Sequence, residues 1–401
     1  MYSFFSKPLL AIVASCIAFA SAADAQTNPS LREAVQAAWA LSPQARALQN
    51  RQAELDARDR AAASLIAGPP SVGLAHRNDR AGSNGGLREY EFEVAAPLWS
   101  PGVRSATAAQ AQADRTALER QLVLAKTNIA AEVRELAALF SLARIERQVA
   151  TRKLDESRTL AADIERRVKA GDTARVDLLQ AQSTIQQTAL TLTKAESSLS
   201  RAVAQWRALT GLNSFAALDE PVGAPQQHPA IAAGQAQLRA AQAKLALTEA
   251  DRRNPMDVGV GMVRERPAFN AAGETSLRLT LRIPLGSDSR NVPKLAAARA
   301  DVDAAQAELD GVQRQVDAER EATLSELAAA RQAETLAAER ERLSREVQTL
   351  IAKSHRLGES DLPTRLRADN ERFDAELAHA KARVETLRAI AKLNQAFGIL
   401  P

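Results

Sequence analysis

One stretch of the chain, between Gly102 and Gly171, contains neither proline nor glycine. Because these two residues are the ones that break helices, their absence predicts one continuous α-helix from Pro101 to Ala170. At 1.5 Å of rise per residue, that helix is roughly 100 Å long. The rest of the chain therefore has to supply helices that pack along it.

A repeat of seven residues runs through the segments that would pack on this helix. In residues 173–209, large and small side chains alternate along one seam: Leu178, Ile185, Leu192, Leu199 and Trp206, with Ala181, Thr188, Ala195, Ala202 and Leu209. Residues 118–140 show the same four-and-three spacing, which is typical of coiled coils. Aromatic residues make up only 3% of the chain, as expected for long helices rather than a thick core. The heptads alone are equally compatible with an ordinary coiled coil.

The same order of elements occurs twice along the chain. Four pairs of landmarks have separations that agree to within one residue: Pro43 and Pro229, Val72 and Val258, Pro97 and Pro284, Gly171 and Gly358. We therefore expect a first structural repeat at residues 26–211, a linker rich in proline and glycine at 212–228, and a second repeat at 229–401. Each repeat is predicted to run helix, strand, strand, long helix, helix.

Each predicted long helix has two shorter helices in the same repeat whose combined length approaches its own. The short ones are predicted at Leu31–Ala67 and Thr173–Leu209 in the first repeat and at Ile231–Arg253 and Pro363–Phe397 in the second, where the long helix is Val292–Arg356. Placed end to end, the short pair would cover the long helix over its full length.

Four segments alternate apolar and polar residues in the manner of strands: Pro70–Asp79, Leu87–Pro97, Met256–Arg266 and Thr275–Pro284. Each has about the 9–11 residues that a tilted strand needs to cross a bilayer. One face would be apolar, and the other would line a lumen with Glu89, Glu91, Glu93, Arg278 and Arg282. A closed barrel needs about eight strands, so this interpretation requires an oligomer. The alternative is a pair of half-buried hairpins packed on helices in a soluble domain.

The N-terminus has the pattern of an export signal at residues 1–25, with Lys7, an apolar run and the small-residue site Ala23-Asp24-Ala25. Cys16, the only cysteine, follows a lipobox-like Val13-Ala14-Ser15, which leaves acylation of Cys16 as an alternative. Export predicts a Gram-negative cell envelope as the location.

These features together resemble the TolC family of outer-membrane efflux proteins. The resemblance covers essentially the whole mature chain, and its most specific motifs are "APLWSPGVR", "IPLGSDSR", "RVKAGDTARVDLLQAQ" and "HRLGESDLPTRLRAD". It implies a mainly α-helical fold with a small membrane β-barrel part: long coiled-coil helices form an α-barrel, and four β-strands per chain are completed by trimerisation. It also implies an outer-membrane location with a long periplasmic part. Pro97 and Pro284 would mark the transitions from strand to helix.

The resemblance also assigns roles at the two hairpin tips. The resemblance implies that residues around the tip glycines contact a periplasmic adaptor: Arg167, Val168, Ala170, Gly171, Arg356, Leu357 and Gly358. Four acids are candidates for narrowing the periplasmic aperture: Asp172, Asp177, Glu359 and Asp361. The alternative for these acids is ordinary negative charge at a helix N-terminus. We expect Asp172-Thr173 and Ser360-Asp361 to cap the helices that follow.

The function implied is an outer-membrane duct in a tripartite efflux system of the RND type, working with an adaptor, an inner-membrane pump and outer-membrane lipid. The short chain is similar to the CzcC-like branch, which exports cobalt, zinc and cadmium, although the four histidines form no metal-binding spacing. We expect no cofactor, no nucleic-acid partner and no enzymatic activity, because the net charge is only +4 and no catalytic grouping is present. The alternative is a periplasmic adaptor or coiled-coil scaffold. The exported compound and the resting state of the duct stay open.

Overall fold

The computed structural model describes residues 29–286 and 288–401, so the predicted signal at 1–25 and Cys16 lie outside the described residues. The described chain forms seven helices and four strands: α1 Leu31–Leu41, α2 Pro43–Ala63, β1 Ser71–Asn78, β2 Arg88–Leu98, α3 Val103–Ala170, α4 Arg175–Thr210, α5 Pro229–Ala250, β3 Met256–Arg266, β4 Glu274–Arg282, α6 Asp288–Arg356 and α7 Leu362–Ala396.

The two predicted long helices are confirmed as α3, with 68 residues, and α6, with 69 residues. Each is about 100 Å long. The short helices lie beside them: α2 and α4 pack along α3, whereas α5 and α7 lie between α3 and α6. The last turn of α7 meets the start of α5, where the Gln226 N–H donates to the carbonyl of Phe397 at 3.3 Å. None of the described helices combines the length and apolar character of a bilayer-spanning helix.

The predicted single helix Leu31–Ala67 is wrong, because Ser42 divides it into α1 and α2. Ser42 has extended backbone angles (φ −65°, ψ 124°), and its hydroxyl caps α2 by accepting from the Ala45 N–H at 3.3 Å. A residue that precedes proline is pushed out of the helical region, and Pro43 then suits the first turn of the new helix. Pro43, one of the landmarks of the repeat, thus marks a helix start, and α2 ends at Ala63, earlier than the predicted Ala67.

The heptad seam of α4 is confirmed, and apart from Trp206 its small residues are the most buried ones. Ala181, Thr188, Ala195 and Ala202 are buried, whereas Leu192 is only half-buried. Small side chains at the seam allow the backbones of α3 and α4 to approach closely, and the large side chains fill the flanks. Trp206 lies in this seam near the C-terminal end of α4 and is fully buried. Its indole N–H donates a hydrogen bond to the Ser214 carbonyl at 3.0 Å.

The four strands form one antiparallel sheet in the order β1-β2-β3-β4. The predicted strands are confirmed, and each boundary moves by no more than two residues. The pairing of β2 with β3, which sets Phe92 opposite Met262, joins strands from the two halves of the chain. Both β1 and β4 are edge strands in the described chain, so each leaves one row of backbone groups without a ladder partner.

The sheet extends away from the helices instead of packing on them, since no strand has a substantial contact with a described helix. Its apolar face is open: Leu74 is 81% exposed and Leu279 is 75% exposed. This arrangement does not match the alternative in which half-buried hairpins pack on helices. A soluble domain rarely leaves a contiguous apolar face of this kind uncovered.

The segment between the two halves, residues 211–228, has no helix or strand, yet a buried ion pair holds it in place. Arg134 of α3 is 3% exposed, and its guanidinium makes two bonds of 2.9 Å to the carboxylate of Glu220. The same guanidinium donates to the Gln395 side chain at 2.7 Å and to the Ile399 carbonyl at 3.0 Å. One arginine thus ties the connecting segment and the C-terminal segment to the middle of α3.

Replacing Arg134 with methionine leaves the Glu220 carboxylate buried without its partner, and breaking such a pair costs about 3–5 kcal/mol. We expect Arg134→Met to lower the thermal unfolding midpoint of the detergent-extracted protein clearly. The matched control is Arg158→Met, which removes an exposed pair with Asp155 and should cost at most about 1 kcal/mol. Equal midpoints for the two variants would contradict the role of the buried pair.

Candidate functional site

The first hairpin tip is a tight turn between α3 and α4. Gly171 adopts left-handed backbone angles (φ 82°, ψ 7°), and its N–H donates to the Val168 carbonyl at 3.1 Å. The Asp172 N–H donates to the Arg167 carbonyl at 2.9 Å, which completes a glycine cap of the Schellman type. No atom would lie within 4 Å of a Cβ at this position, so the backbone angle alone requires glycine.

The second tip repeats this geometry between α6 and α7. Gly358 has a φ of 80°, and the Glu359 N–H donates to the Ser354 carbonyl at 3.0 Å. Asp361 caps α7, since its carboxylate accepts from the Thr364 N–H at 3.0 Å. Hydrogen bonds from the side chain and backbone of Thr364 hold the pKa of Asp361 below its usual value.

One of the two predicted caps is confirmed and the other is wrong. Asp361 caps α7, but α4 begins at Arg175 with Ala174 as its cap residue, and no side chain of Asp172 or Thr173 bonds to its first turn. The turn after Gly171 takes one residue more than the pattern suggested, which moves both side chains too far from the helix start.

The structure brings the two tips together through a small apolar cluster in which α7 meets the first hairpin. Leu362 of α7 is buried against Ala161, Ile164 and Ala181, and Val168 packs on this cluster. Of the residues expected at an adaptor contact, Arg167 and Val168 are half-buried by this packing. The others are exposed: Ala170, Gly171, Arg356, Leu357 and Gly358.

Three of the four candidate aperture acids are exposed at the tips, and Asp177 is half-buried in the first turn of α4. Within the described residues, none of the four is in an ion pair within one chain. Asp361 acts as a cap and Asp177 lies in a first turn, so both also fit the alternative of negative charge at a helix N-terminus.

Besides the apolar cluster at Leu362, ion pairs line the contact between the α3–α4 hairpin and the α6–α7 hairpin. Five of them cross from α3 to α7: Arg388 with Glu135, Lys381 with Glu146, Arg152 with Glu376, Arg372 with Glu156, and Lys153 with Asp374. Sequence reasoning missed these pairs, because their members are far apart along the chain. The side chains in these pairs are between 14% and 66% exposed, so salt screens the pairs only in part.

A histidine lies close to the tip contact. Burial lowers the pKa of His355 at the end of α6, and the charges of Arg167 on α3 and Arg365 on α7 lower it further. Asp163 and Asp369 act in the opposite direction. The two arginines are themselves paired locally, with distances of 3.1 Å from Arg167 Nε to Asp163 and 2.9 Å from Arg365 Nε to Asp369. Protonation of His355 would thus place a third positive charge where two hairpins meet.

The charged face of the sheet carries the residues predicted to face a lumen. Arg278 on β4 reaches across β3 to Glu91 at 2.5 Å and lies 3.8 Å from Glu89. Glu93 has no ion-pair partner within the described chain, and it lies over Gly259, whose missing side chain provides the room. Arg282 pairs in register with Asp257. The glycines of β3 were visible in the sequence, but their role in seating a glutamate was not.

The two transition prolines lie where the sheet joins the helices. Pro97 is the next-to-last residue of β2, and its carbonyl accepts a hydrogen bond from the Ala67 N–H at 2.9 Å. Pro284 follows the end of β4. In each half, the first turn of the long helix then binds a carbonyl at the end of the preceding short helix: Arg104 to Ala63 at 2.8 Å, and Asn291 to Arg252 at 2.7 Å.

The described residues contain no group of three or more histidine, cysteine, aspartate or glutamate side chains placed to hold a metal ion. The candidate site is a set of surfaces: two exposed tips, a contact with ion pairs between α3 and α7, and a sheet with one apolar and one charged face.

Comparison with known proteins agrees with this geometry. Residues 221–399 match the family described as outer membrane efflux protein. The protein CyaE of Bordetella pertussis is 29% identical over 317 residues, which cover 70% of this chain and 65% of CyaE, slightly less than two thirds of that relative.

Two solved channels have the same fold. The outer membrane protein VceC of Vibrio cholerae superposes with a TM-score of 0.72 at 16% identity, covering 92% of this chain and 96% of VceC. The CmeC outer membrane channel of Campylobacter jejuni has a TM-score of 0.73 at 13% identity, covering 92% of this chain and 86% of CmeC.

The fold is thus that of the TolC-like channels, mainly helical with a four-stranded sheet in each chain. The match to the outer membrane efflux protein family covers residues 221–399, a little less than half of the chain.

The histidine near the tips makes the stability of the tip contact depend on pH. Because the pKa of His355 is lowered in the folded state, the folded chain binds fewer protons than the unfolded chain below about pH 6.5, so stability falls as pH drops through that range. We expect amides at the tips to exchange hydrogen faster relative to the rest of the protein at about pH 5.5 than at about pH 7.5. His355→Gln should weaken this dependence, and His76→Gln, on the exposed sheet, should leave it as in the wild type. An unchanged dependence in His355→Gln would rule out the histidine as its source.

Proposed function

We propose that the protein is the outer-membrane channel of a tripartite efflux system of the RND type, in which three copies form one continuous duct. The observation that carries this proposal is the sheet, which has an exposed apolar face, a charged opposite face and two open edges. Such a sheet has no stable place in water, but it fits as one third of a barrel whose apolar face meets lipid.

The strand edges support the number of copies. Four strands in each chain are too few to close a membrane barrel, which needs about eight. Three copies supply twelve strands and pair every β1 edge with a β4 edge of the next chain. The charged face, with Glu89, Glu91, Glu93, Arg278 and Arg282, then lines the lumen.

The helices support the same assembly. Leucines at a seven-residue spacing stand exposed on α6: Leu336 at 64%, Leu343 at 47% and Leu350 at 62%. On the opposite side of the chain, α4 exposes Val176 at 63% and Leu190 at 57%. Apolar residues at this spacing are typical of a seam that faces another helix. In the trimer, α6 of one copy packs beside α4 of the next.

The tips are the surfaces for the other components of the system. A periplasmic adaptor meets the exposed residues around Gly171 and Gly358, and an inner-membrane pump delivers substrate through that adaptor. Asp172, Asp177, Glu359 and Asp361 would form acidic rings at the periplasmic aperture once three copies assemble. The polar contact between α3 and α7 lets the second hairpin move against the first.

The cargo consists of metal ions or small toxic compounds, and similarity to the CzcC-like branch favours metal ions. A passive duct needs no metal site of its own, so the choice of cargo rests with the pump and adaptor. The alternative function is that of a periplasmic adaptor or scaffold. It fits less well, because the chain has two equivalent hairpins and a sheet without any helix to pack on.

Fractionation of membranes by density, followed by the mass of the unboiled, detergent-extracted protein, tests the proposed function. We expect outer-membrane fractions and a particle with the mass of three protomers, once the detergent contribution is subtracted. A soluble monomer, or a protein in inner-membrane fractions, would refute the channel and favour the scaffold.

The tips provide a separate test of the adaptor contact. Gly171→Val and Gly358→Val force a β-branched residue into a left-handed backbone conformation, which costs about 1–2 kcal/mol and distorts the turn. We expect loss of efflux, measured as resistance of cells that express the pump and adaptor, while trimers stay in the outer membrane. The matched control is Gly171→Asn, because asparagine tolerates the left-handed conformation. Loss of the trimers themselves, or full efflux in the valine variants, would contradict this placement of the contact.

A further inference from the structure

At the end of the sheet that carries the β1–β2 and β3–β4 loops, positive charges lie on one face and negative charges on the other. Three arginines lie there on the same face as the apolar residues: Arg88 on β2, with Arg264 and Arg266 on β3. The residues that share this face include Tyr90, Phe92 and Met262, all of which are exposed. The opposite face of the same end carries Glu89, Glu265 and Glu274, which lie side by side in register across three strands.

The three arginines form one compact patch. Arg88 and Arg266 are direct cross-strand partners, and Arg264, the partner of Tyr90, follows one row below on the same face. Rows on one face are about 7 Å apart along a strand, and direct partners have Cα atoms about 5 Å apart. All three guanidinium groups can therefore reach one area about 7 Å across.

This patch has no anion from its own chain. Within the described residues, none of the three arginine side chains is in an ion pair or donates a hydrogen bond, and the Nε atom of Arg266 is buried without a partner. The apolar-facing side of the four strands contains no aspartate or glutamate. Like charges placed directly opposite each other in a sheet are destabilising, so a bound anion would offset the repulsion between Arg88 and Arg266.

The position of the patch identifies the anion. Below it, apolar residues fill the face for four rows, from Leu98 and Met256 up to Phe92 and Met262, which is about 20 Å along the strands. His76 and Tyr90, whose rings stack at 4.5 Å, mark the upper border of this band. Aromatic residues take this place at the border of a barrel's lipid-facing band. The other ends of the strands lead into the long helices, so the loop end is the end away from the periplasm.

We propose that Arg88, Arg264 and Arg266 bind the phosphate groups of a phosphorylated glycolipid in the outer leaflet of the outer membrane. The inference rests on the proposed function, because it requires the sheet to lie in a barrel with its apolar face toward lipid. Guanidinium groups bind phosphate oxygens in pairs, with planar geometry that an ammonium group lacks. The patch lies at headgroup height and faces lipid, whereas Arg278 faces the lumen and pairs with Glu91. Each trimer would hold three such sites.

The test compares lipid binding by purified trimers of the wild type and of the triple variant Arg88→Gln, Arg264→Gln, Arg266→Gln. The probes are bisphosphorylated lipid A and its dephosphorylated form, and bound lipid is counted by native mass spectrometry. We expect lipid A to bind the wild type at least about tenfold more tightly than the triple variant. The dephosphorylated lipid should bind both proteins equally weakly, and inorganic phosphate at the same concentration should not displace lipid A.

Two further variants keep the test decisive. Arg147→Gln, Arg314→Gln, Arg340→Gln removes the same charge from exposed helix positions and should bind lipid A as the wild type does. Replacement of the three patch arginines by lysine keeps the positive charge and should restore part of the affinity for lipid A. Such a recovery would show that the glutamine variant binds weakly because it lacks the charges and not because it misfolds. The inference would be overturned if lipid A bound the wild type and the glutamine variant equally. It would also be overturned if the dephosphorylated lipid bound the wild type as tightly as lipid A does, or if inorganic phosphate displaced lipid A.

Failure of the proposed function would be detected before the lipid measurement, in the membrane fractionation and the mass of the extracted protein. Only protein that has the mass of three protomers and comes from outer-membrane fractions enters the lipid measurement. A protein that fails those criteria refutes the channel and, with it, the lipid site. Trimers that meet them but do not distinguish the two lipids refute the lipid site alone.

Discussion

The architecture depends on the need to cover two helices of about 100 Å along their whole length. A compact core cannot do this, so the chain uses pairs of shorter helices placed end to end. The seams between α3 and α4 are narrow because alanine and threonine occupy the deepest positions, including Ala181 and Thr188. Where two short helices meet, the covering is interrupted. The connecting segment and the C-terminal segment close that gap, held by Arg134 and Glu220.

This arrangement leaves apolar surfaces and strand edges that a single chain cannot cover. The sheet has no helix on its apolar face, its edges are open, and α6 exposes leucines at coiled-coil spacing. These three features agree with one another, since a single circular arrangement of copies would cover all of them except the face that meets lipid. Within each copy, apolar seams join the two helices of each hairpin, whereas the contact between α3 and α7 combines ion pairs with a small apolar cluster.

Much of the fold was predictable because its signals are local. A period of seven marks the helices and a period of two marks the strands, and both are set by neighbouring residues. The tip glycines were recognisable because only a left-handed turn demands them. The errors also have local causes: Ser42 combines a helix stop with a helix start, and the turn after Gly171 is one residue longer than the pattern suggested. The ion pairs between α3 and α7 were not predictable, because Arg388 and Glu135 are far apart in sequence and approach only when α7 packs on α3.

The sequence by itself determined which segments are helices and strands, which face of each strand is apolar, and where the hairpins turn. These properties follow from periodicity and from the backbone preferences of glycine and proline. Only the tertiary structure decided which charges meet. Register places Glu89 beside Glu265 on one face of the sheet and Arg88 beside Arg266 on the other. Packing places Arg134 against Glu220 and His355 among the charges of the tips. Electrostatic partners are chosen by distance in space, and a linear sequence does not contain that distance until the long helices have aligned.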